Sequence, residues 1–146
     1  MRRDYAALVS DDPAWPALRL AAAAATNDVE ILALQSEEQG RRCLESLQVT
    51  TRSTLGALAH ETGGVLVDGG FLRVFGSGHV RLPRALGAWN AELGVPVAHH
   101  LLVADDVVGG SLAIDGGGLG RRAGSVCYFA PDSLEWEDTK LGHSDW

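Results

Sequence analysis

Several clusters of side chains have the types that chemistry needs, and their spacing decides among the readings. Asp105-Asp106 is a carboxylate pair, the arrangement used for acid–base work or for binding calcium. Adjacent aspartates where a strand meets a turn are also turn formers, because their carboxylates accept nearby backbone N–H groups. A hydrolase or ligand-binding enzyme would combine Asp105 and Asp106 with a histidine such as His79 or His100. His60-Glu61 starts like the helix of a zinc protease, but position 64 is glycine and the second histidine ligand is missing. His99 and His100 are neighbours, so on a regular strand their rings point to opposite faces and cannot share a metal. Asp115 to Arg122 is glycine-rich but lacks the lysine and hydroxyl residue of a phosphate loop, and Arg121 stands where the dinucleotide pattern needs a glycine. Cys127 lies mid-strand between Val126 and Tyr128, with nothing basic beside it to lower its pKa. Ser77 lacks the G-x-S-x-G elbow of a hydrolase nucleophile. These spacings predict no catalytic set, no cofactor, no metal and no nucleotide, and point to a non-enzymatic role.

The C-terminal stretch carries a different signal. Asp132, Glu135, Glu137, Asp138 and Asp145 face Lys140 alone, with Trp136 and Trp146 among them. Aromatic residues ringed by polar ones are what interface anchors look like. Trp136 reads equally as a core residue on a strand with an acidic outer face. The surface expected to dock a basic protein comprises Asp105, Asp106, Glu135, Trp136, Glu137 and Asp138, with charge complementarity raising the association rate.

The elements that must position these groups fall into two halves. Asp11-Asp12-Pro13 predicts a helix start, with the helix running through Trp15 and Leu18 to about Ala25. Val29 to Leu32 reads as a short strand. Ser36-Glu37-Glu38-Gln39 is a capping box opening a helix with Cys43, Leu44 and Leu47 on one face, although Gly40 weakens it by about 1 kcal/mol relative to alanine. Ser53 to Thr62 reads as a short helix ended by Gly63-Gly64. Val65–Val67 and Phe71–Phe75 flank Asp68-Gly69-Gly70 as a tight hairpin. Leu82 to Leu93 reads as a helix started by Pro83 and closed by Gly94 and Pro96. Strands follow at about His100–Ala104, Gly110–Ile114, Ser125–Phe129 and Leu134–Glu137. Helices first and strands later predict an α+β fold, with a mostly antiparallel sheet from Val65 to Glu137 packed on one face by helices from Asp12 to Leu47.

Length and charge set the frame. With 146 residues, the chain fits a single domain over residues 1–146. Its 46% hydrophobic and 21% charged content is that of a globular protein. No stretch is long and apolar enough to span a membrane, and Asp4, Asp11 and Asp12 interrupt any secretory leader. A net charge of −7 repels phosphate backbones, so a basic protein is the expected partner rather than nucleic acid or membrane. Cys43 and Cys127, each within an apolar run, read as two reduced core thiols, which predicts a cytoplasmic location. Eleven of the twelve basic residues are arginine, the bias of a GC-rich bacterial genome.

Several stretches resemble one family. They are Asp12-Pro13-Ala14-Trp15-Pro16, Leu47 to Ser53, Glu61-Thr62-Gly63-Gly64, Leu72-Arg73-Val74, Gly76-Ser77-Gly78-His79, Val103 to Gly110, and Tyr128 to Asp138. Over nearly the whole chain these resemble the uncharacterised bacterial family catalogued as domain of unknown function 2625. More remotely, the second half is similar to the SUKH superfamily, in which a glycine-punctuated strand, a hairpin, a strand ending in an aromatic pair and a short strand precede a helix. Here that helix would open at Ser144. The SUKH resemblance implies an α+β interaction module, and among such modules many are immunity proteins that neutralise bacterial toxins. It implies no catalytic residue. Both families continue into a C-terminal helical extension that this chain is expected to lack.

Overall fold

The computed structural model describes residues 2–94, 99–120 and 124–143. The helix expected to open at Ser144 and the Pro96 stop signal lie outside these residues, as do Arg121, Asp145 and Trp146. The element order is α1 (Tyr5–Leu8), α2 (Trp15–Ala24), β1 (Val29–Ala33), α3 (Glu37–Leu47), α4 (Thr54–Glu61), β2 (Thr62–Val67), β3 (Leu72–Phe75), α5 (Leu86–Leu93), β4 (His100–Asp106), β5 (Ser111–Asp115), β6 (Ser125–Phe129) and β7 (Trp136–Gly142). The class is α+β, as expected. The seven strands form one sheet in chain order, every neighbouring pair antiparallel. Its first strand is β1, so the sheet begins at Val29 rather than Val65.

Local chemistry explains most of these boundaries. Ser36 Oγ accepts the Gln39 N–H at 3.1 Å and caps α3, whose Cys43, Leu44 and Leu47 are buried. The capping box is only half made, because the Gln39 amide reaches away to donate to the carbonyls of Ser77 and Gly78. Ser53 caps α4 in the same manner. Asp12 caps nothing: α2 starts at Trp15, after Ala14, which makes no side-chain cap. Gly63 and Gly64 do not end α4 but lie within β2. A Cβ on Gly63 would stand 2.9 Å from the carbonyl oxygens of Ala33 and Gly78, so glycine is needed there for close passage of two other segments. Gly40, a weak residue for a helix, is explained likewise. A Cβ there would meet the His60 carbonyl oxygen at 2.4 Å, so its absence lets α3 and α4 touch.

Three further boundaries differ from expectation. Helix α5 starts at Leu86, because His79 and Leu82 first close a small bridge and Pro83 lies between bridge and helix. A one-turn helix, α1, precedes α2, capped by Asp4 and plugged into the core by fully buried Leu8. Strand β7 starts two residues later than expected and runs on to Gly142, because Leu134 adopts a left-handed φ of 57° in the preceding turn.

The main core joins Leu66, Phe75, Val103, Leu112 and Val126 of the sheet to Cys43 and Leu47 of α3 and to Leu86 of α5. Alternation sends Ile31, Val65 and Val74 to the opposite face from Leu32, Leu66 and Phe75. There they line a cavity of about 430 Å³ with Trp15, Leu18 and Ala22 of α2. The first three strands therefore have helices on both faces. Cys43 and Cys127 are both buried, and no disulfide joins them.

Candidate functional site

The antiparallel meander puts the β2–β3, β4–β5 and β6–β7 turns at one end of the sheet. These turns touch. The Val107 N–H donates to the Phe71 carbonyl at 3.0 Å, and Gly109 lies against Pro131, whose Cβ would be 3.7 Å from a Cβ placed on the glycine. Each turn presents large apolar side chains to solvent: Phe71 is 53% exposed, Val107 55%, Val108 59% and Leu134 67%. Turn tips are ordinarily polar, so four such residues on three adjoining turns make this end of the sheet unusually apolar. Asp132, Glu135 and Glu137 are exposed beside it.

The aspartate pair stabilises this end from within. Asp105 Oδ1 accepts from Arg73 Nε at 2.7 Å and from Arg84 Nη2 at 3.2 Å, and Arg84 Nε lies 2.7 Å from Oδ2 as an ion pair. Asp105 is thus countered by two cations and adds no free negative charge to a docking face. Asp106 is buried. Its carboxylate accepts the N–H groups of Val108 and Gly110 at 3.1 and 2.8 Å and the Tyr128 hydroxyl at 2.8 Å. That is the turn-forming role. The hydrogen bond to Asp106, ahead of burial and the charges of Asp106, Asp132 and Glu137, raises the Tyr128 pKa. Asp105 and Asp106 are therefore brought to this end of the sheet but do structural work there.

The remaining expected residues separate. Glu135 and Glu137 are exposed on the β6–β7 hairpin. Asp138 is half-buried, bonded to the Ser125 hydroxyl and to the Lys140 N–H. Trp136 is half-buried against Phe129 at 5.1 Å and His100 at 5.5 Å between ring centroids, so it is a partly covered aromatic and not a fully displayed anchor. His100 has its pKa lowered by burial first and the neighbouring His99 charge second, against the opposing pull of Asp115.

The other sequence candidates resolve physically. Asp115, 1% exposed, accepts the N–H groups of Gly117 and Leu119, while Gly116 and Gly118 donate to the His99 carbonyl. These bonds fold residues 115–120 of the glycine loop into a turn, and a Cβ on Gly118 would fall 2.1 Å from the His99 ring, which would have to shift. His79 and Cys43 line a second cavity of about 620 Å³ between α3 and α5, where burial pushes the Cys43 thiol up to about 11. Among the described residues no group of three or more His, Cys, Asp or Glu side chains could hold a metal ion, and no helix is long and apolar enough to cross a membrane.

Sequence reading missed Arg73 and Arg84 as partners of Asp105, and missed the apolar turn tips. The signal for the tips was present: Val107-Val108 sits between Asp105-Asp106 and Gly109-Gly110, and Phe71 follows Gly69-Gly70, where polar turn residues would be ordinary.

Comparison with known proteins agrees with the resemblance to domain of unknown function 2625 and adds nothing on the SUKH resemblance. Residues 6–146 match the family model described as "Protein of unknown function DUF2625". A putative uncharacterized protein YbfG from Escherichia coli K12 is 42% identical over 137 residues, covering 94% of this chain and 63% of the relative. An uncharacterized protein from Haemophilus influenzae is 36% identical over 126 residues, covering 84% of this chain and 55% of the relative. The chain thus spans less than two-thirds of the length of these curated relatives. No solved structure matches it. On the match over residues 6–146 and these two relatives, the chain belongs to the DUF2625 family.

Proposed function

We propose that this domain is a non-enzymatic protein-binding module that docks a basic protein on the hairpin-tip end of its sheet. The supporting observation is the exposure of Phe71, Val107, Val108 and Leu134 on three touching turns, with Asp132, Glu135 and Glu137 exposed on the β6–β7 hairpin. An apolar centre excludes water and supplies affinity, and a charged rim steers encounter and selects the partner's sign. The net charge of −7 favours the same partner. In the immunity reading that follows from the SUKH resemblance, the partner is a basic toxin held inactive by occlusion, in the cytoplasm where the toxin would act. The use of Asp105 in an arginine clamp and of Asp106 in a turn weighs against the hydrolase alternative with His79 or His100, since neither carboxylate is left to move a proton.

The test is kinetic. With the partner captured from the native host, reversing Asp132, Glu135 and Glu137 to lysine slows association about tenfold or more at low salt and much less at high salt. Unchanged association in a folded triple variant would place the interface elsewhere.

A further inference from the structure

A second constellation lies away from the hairpin tips, where α1, α3 and α4 meet. The Tyr5 hydroxyl is 2.6 Å from His60 Nε2, and His60 Nδ1 is 2.9 Å from Glu61 Oε1. The carboxylate determines the tautomer. Glu61 can only accept, so in the neutral imidazole His60 Nδ1 carries the proton, Nε2 presents a lone pair, and the Tyr5 hydroxyl donates to it. This is a hydroxyl, an imidazole and a carboxylate in series, each within hydrogen-bond reach of the next. The Arg41 guanidinium stands 4.7 Å from the Tyr5 ring centroid, so a cation faces the ring on which negative charge would develop.

The arrangement is held from outside itself. Leu8 anchors α1 in the core, and three hydrogen bonds join Arg3 to Gln48, so the Tyr5 hydroxyl is not required to tether this segment. The contact between Gly40 and the His60 carbonyl fixes the end of α4. Each member is partly exposed: Tyr5 is half-buried, and the side chains of His60 and Glu61 are 19% and 37% exposed. Tyr128 shows the contrast. Its hydroxyl donates directly to the Asp106 carboxylate, with no imidazole to take the proton, and its pKa is raised.

We propose that Tyr5, His60 and Glu61 form a nucleophilic relay that makes Tyr5 an acceptor for acyl groups from activated esters. The phenol oxygen attacks the ester carbonyl as its proton passes to His60 Nε2. The new bond joins that oxygen to the acyl carbon. The bond to the leaving alcohol breaks with its electron pair, and the leaving oxygen takes the proton from His60. The products are O-acylated Tyr5 and a free alcohol. His60 is the general base, and Glu61 positions it and balances the transient imidazolium.

The test uses the whole chain and p-nitrophenyl acetate. Acetyl groups are mapped by peptide mass spectrometry, and hydroxylamine separates labile tyrosyl esters from stable amides on Lys140 and the N-terminus. Tyr5 is expected to acetylate about 100-fold faster than Tyr128. His60→Gln should bring Tyr5 down to the Tyr128 rate and abolish the solvent deuterium isotope effect of proton transfer to the imidazole. Glu61→Gln, at a half-exposed position, should lower the rate about tenfold with the fold intact by circular dichroism. Tyr5→Phe should remove the labile ester. Equal rates at the two tyrosines, or a Tyr5 rate indifferent to both His60→Gln and Glu61→Gln, would overturn the proposal.

Discussion

Asn90 holds both polar backbone groups of Leu102, donating to its carbonyl at 2.9 Å and accepting from its N–H at 2.8 Å. Strand β3 pairs with β4 only from Asp106 back to Ala104, and the register of β4 shifts between Leu102 and Ala104. Beyond that point the amide of Asn90 takes the place of the next strand residue. Helix α5 is thereby fastened to the sheet where the sheet would otherwise leave backbone groups unsatisfied.

Asn90 is 4% exposed, so its replacement by leucine leaves two buried groups without partners. Asn90→Leu is expected to cost about 2–3 kcal/mol, read as a lowered urea midpoint with unchanged slope. Arg42→Ala, which removes an ion pair whose side chains are 77% and 67% exposed, should change stability by less than about 1 kcal/mol. Equal effects from the two would show that the amide bridge carries no weight.

Helix propensity and packing make opposite predictions at Gly40. Propensity alone favours alanine by about 1 kcal/mol. Packing opposes it, because the new Cβ would sit 2.4 Å from the His60 carbonyl oxygen and α3 would have to move off α4. Gly40→Ala is therefore expected to destabilise. At Gly87 the nearest obstacle is the Ser46 hydroxyl, a side-chain tip that can rotate, so Gly87→Ala should cost less. Thermal melts of the two variants settle the order.

His143 follows β7 and faces the cavity under α2, where burial pushes its pKa down from 6.5 to about 4. The folded state holds the neutral ring, and the unfolded chain binds the proton first. Stability is thus fully present above pH 6.5 and falls as the pH drops from 6.5 through about 4. His143→Leu should flatten that part of the profile relative to the parent chain. Urea denaturation at pH 7 and pH 4.5 measures it, and parallel profiles would contradict it.

Much of the fold was legible because local rules produced it. The Ser36 and Ser53 caps, the buried Cys43-Leu44-Leu47 stripe and the four strands from Phe71 to Phe129 follow from polar caps, helical spacing and alternation. What escaped depended on distance. Gly63-Gly64 looks like a helix stop until Gly78 is known to pass beside it. Asp105 looks like free charge until Arg73 and Arg84, 32 and 21 residues away, close on it. The reach of β7 to Gly142 required a left-handed residue, Leu134, that nothing local announces. The acidic C-terminal region was found by composition, whereas its apolar complement appears only when three turns distant in sequence are set side by side.

The central claim is that the hairpin-tip end is where a partner sits. The most direct measurement is site-specific photo-crosslinking in the native bacterial cell, with a photoreactive amino acid at Val108 or, separately, at Leu20. Both are exposed aliphatic positions, one on the tip patch and one on α2, 72% exposed. The account predicts one discrete adduct with a basic protein from Val108, lost when Glu135 and Glu137 are reversed to lysine, and none from Leu20. A discrete adduct from Leu20 with none from Val108 would contradict it.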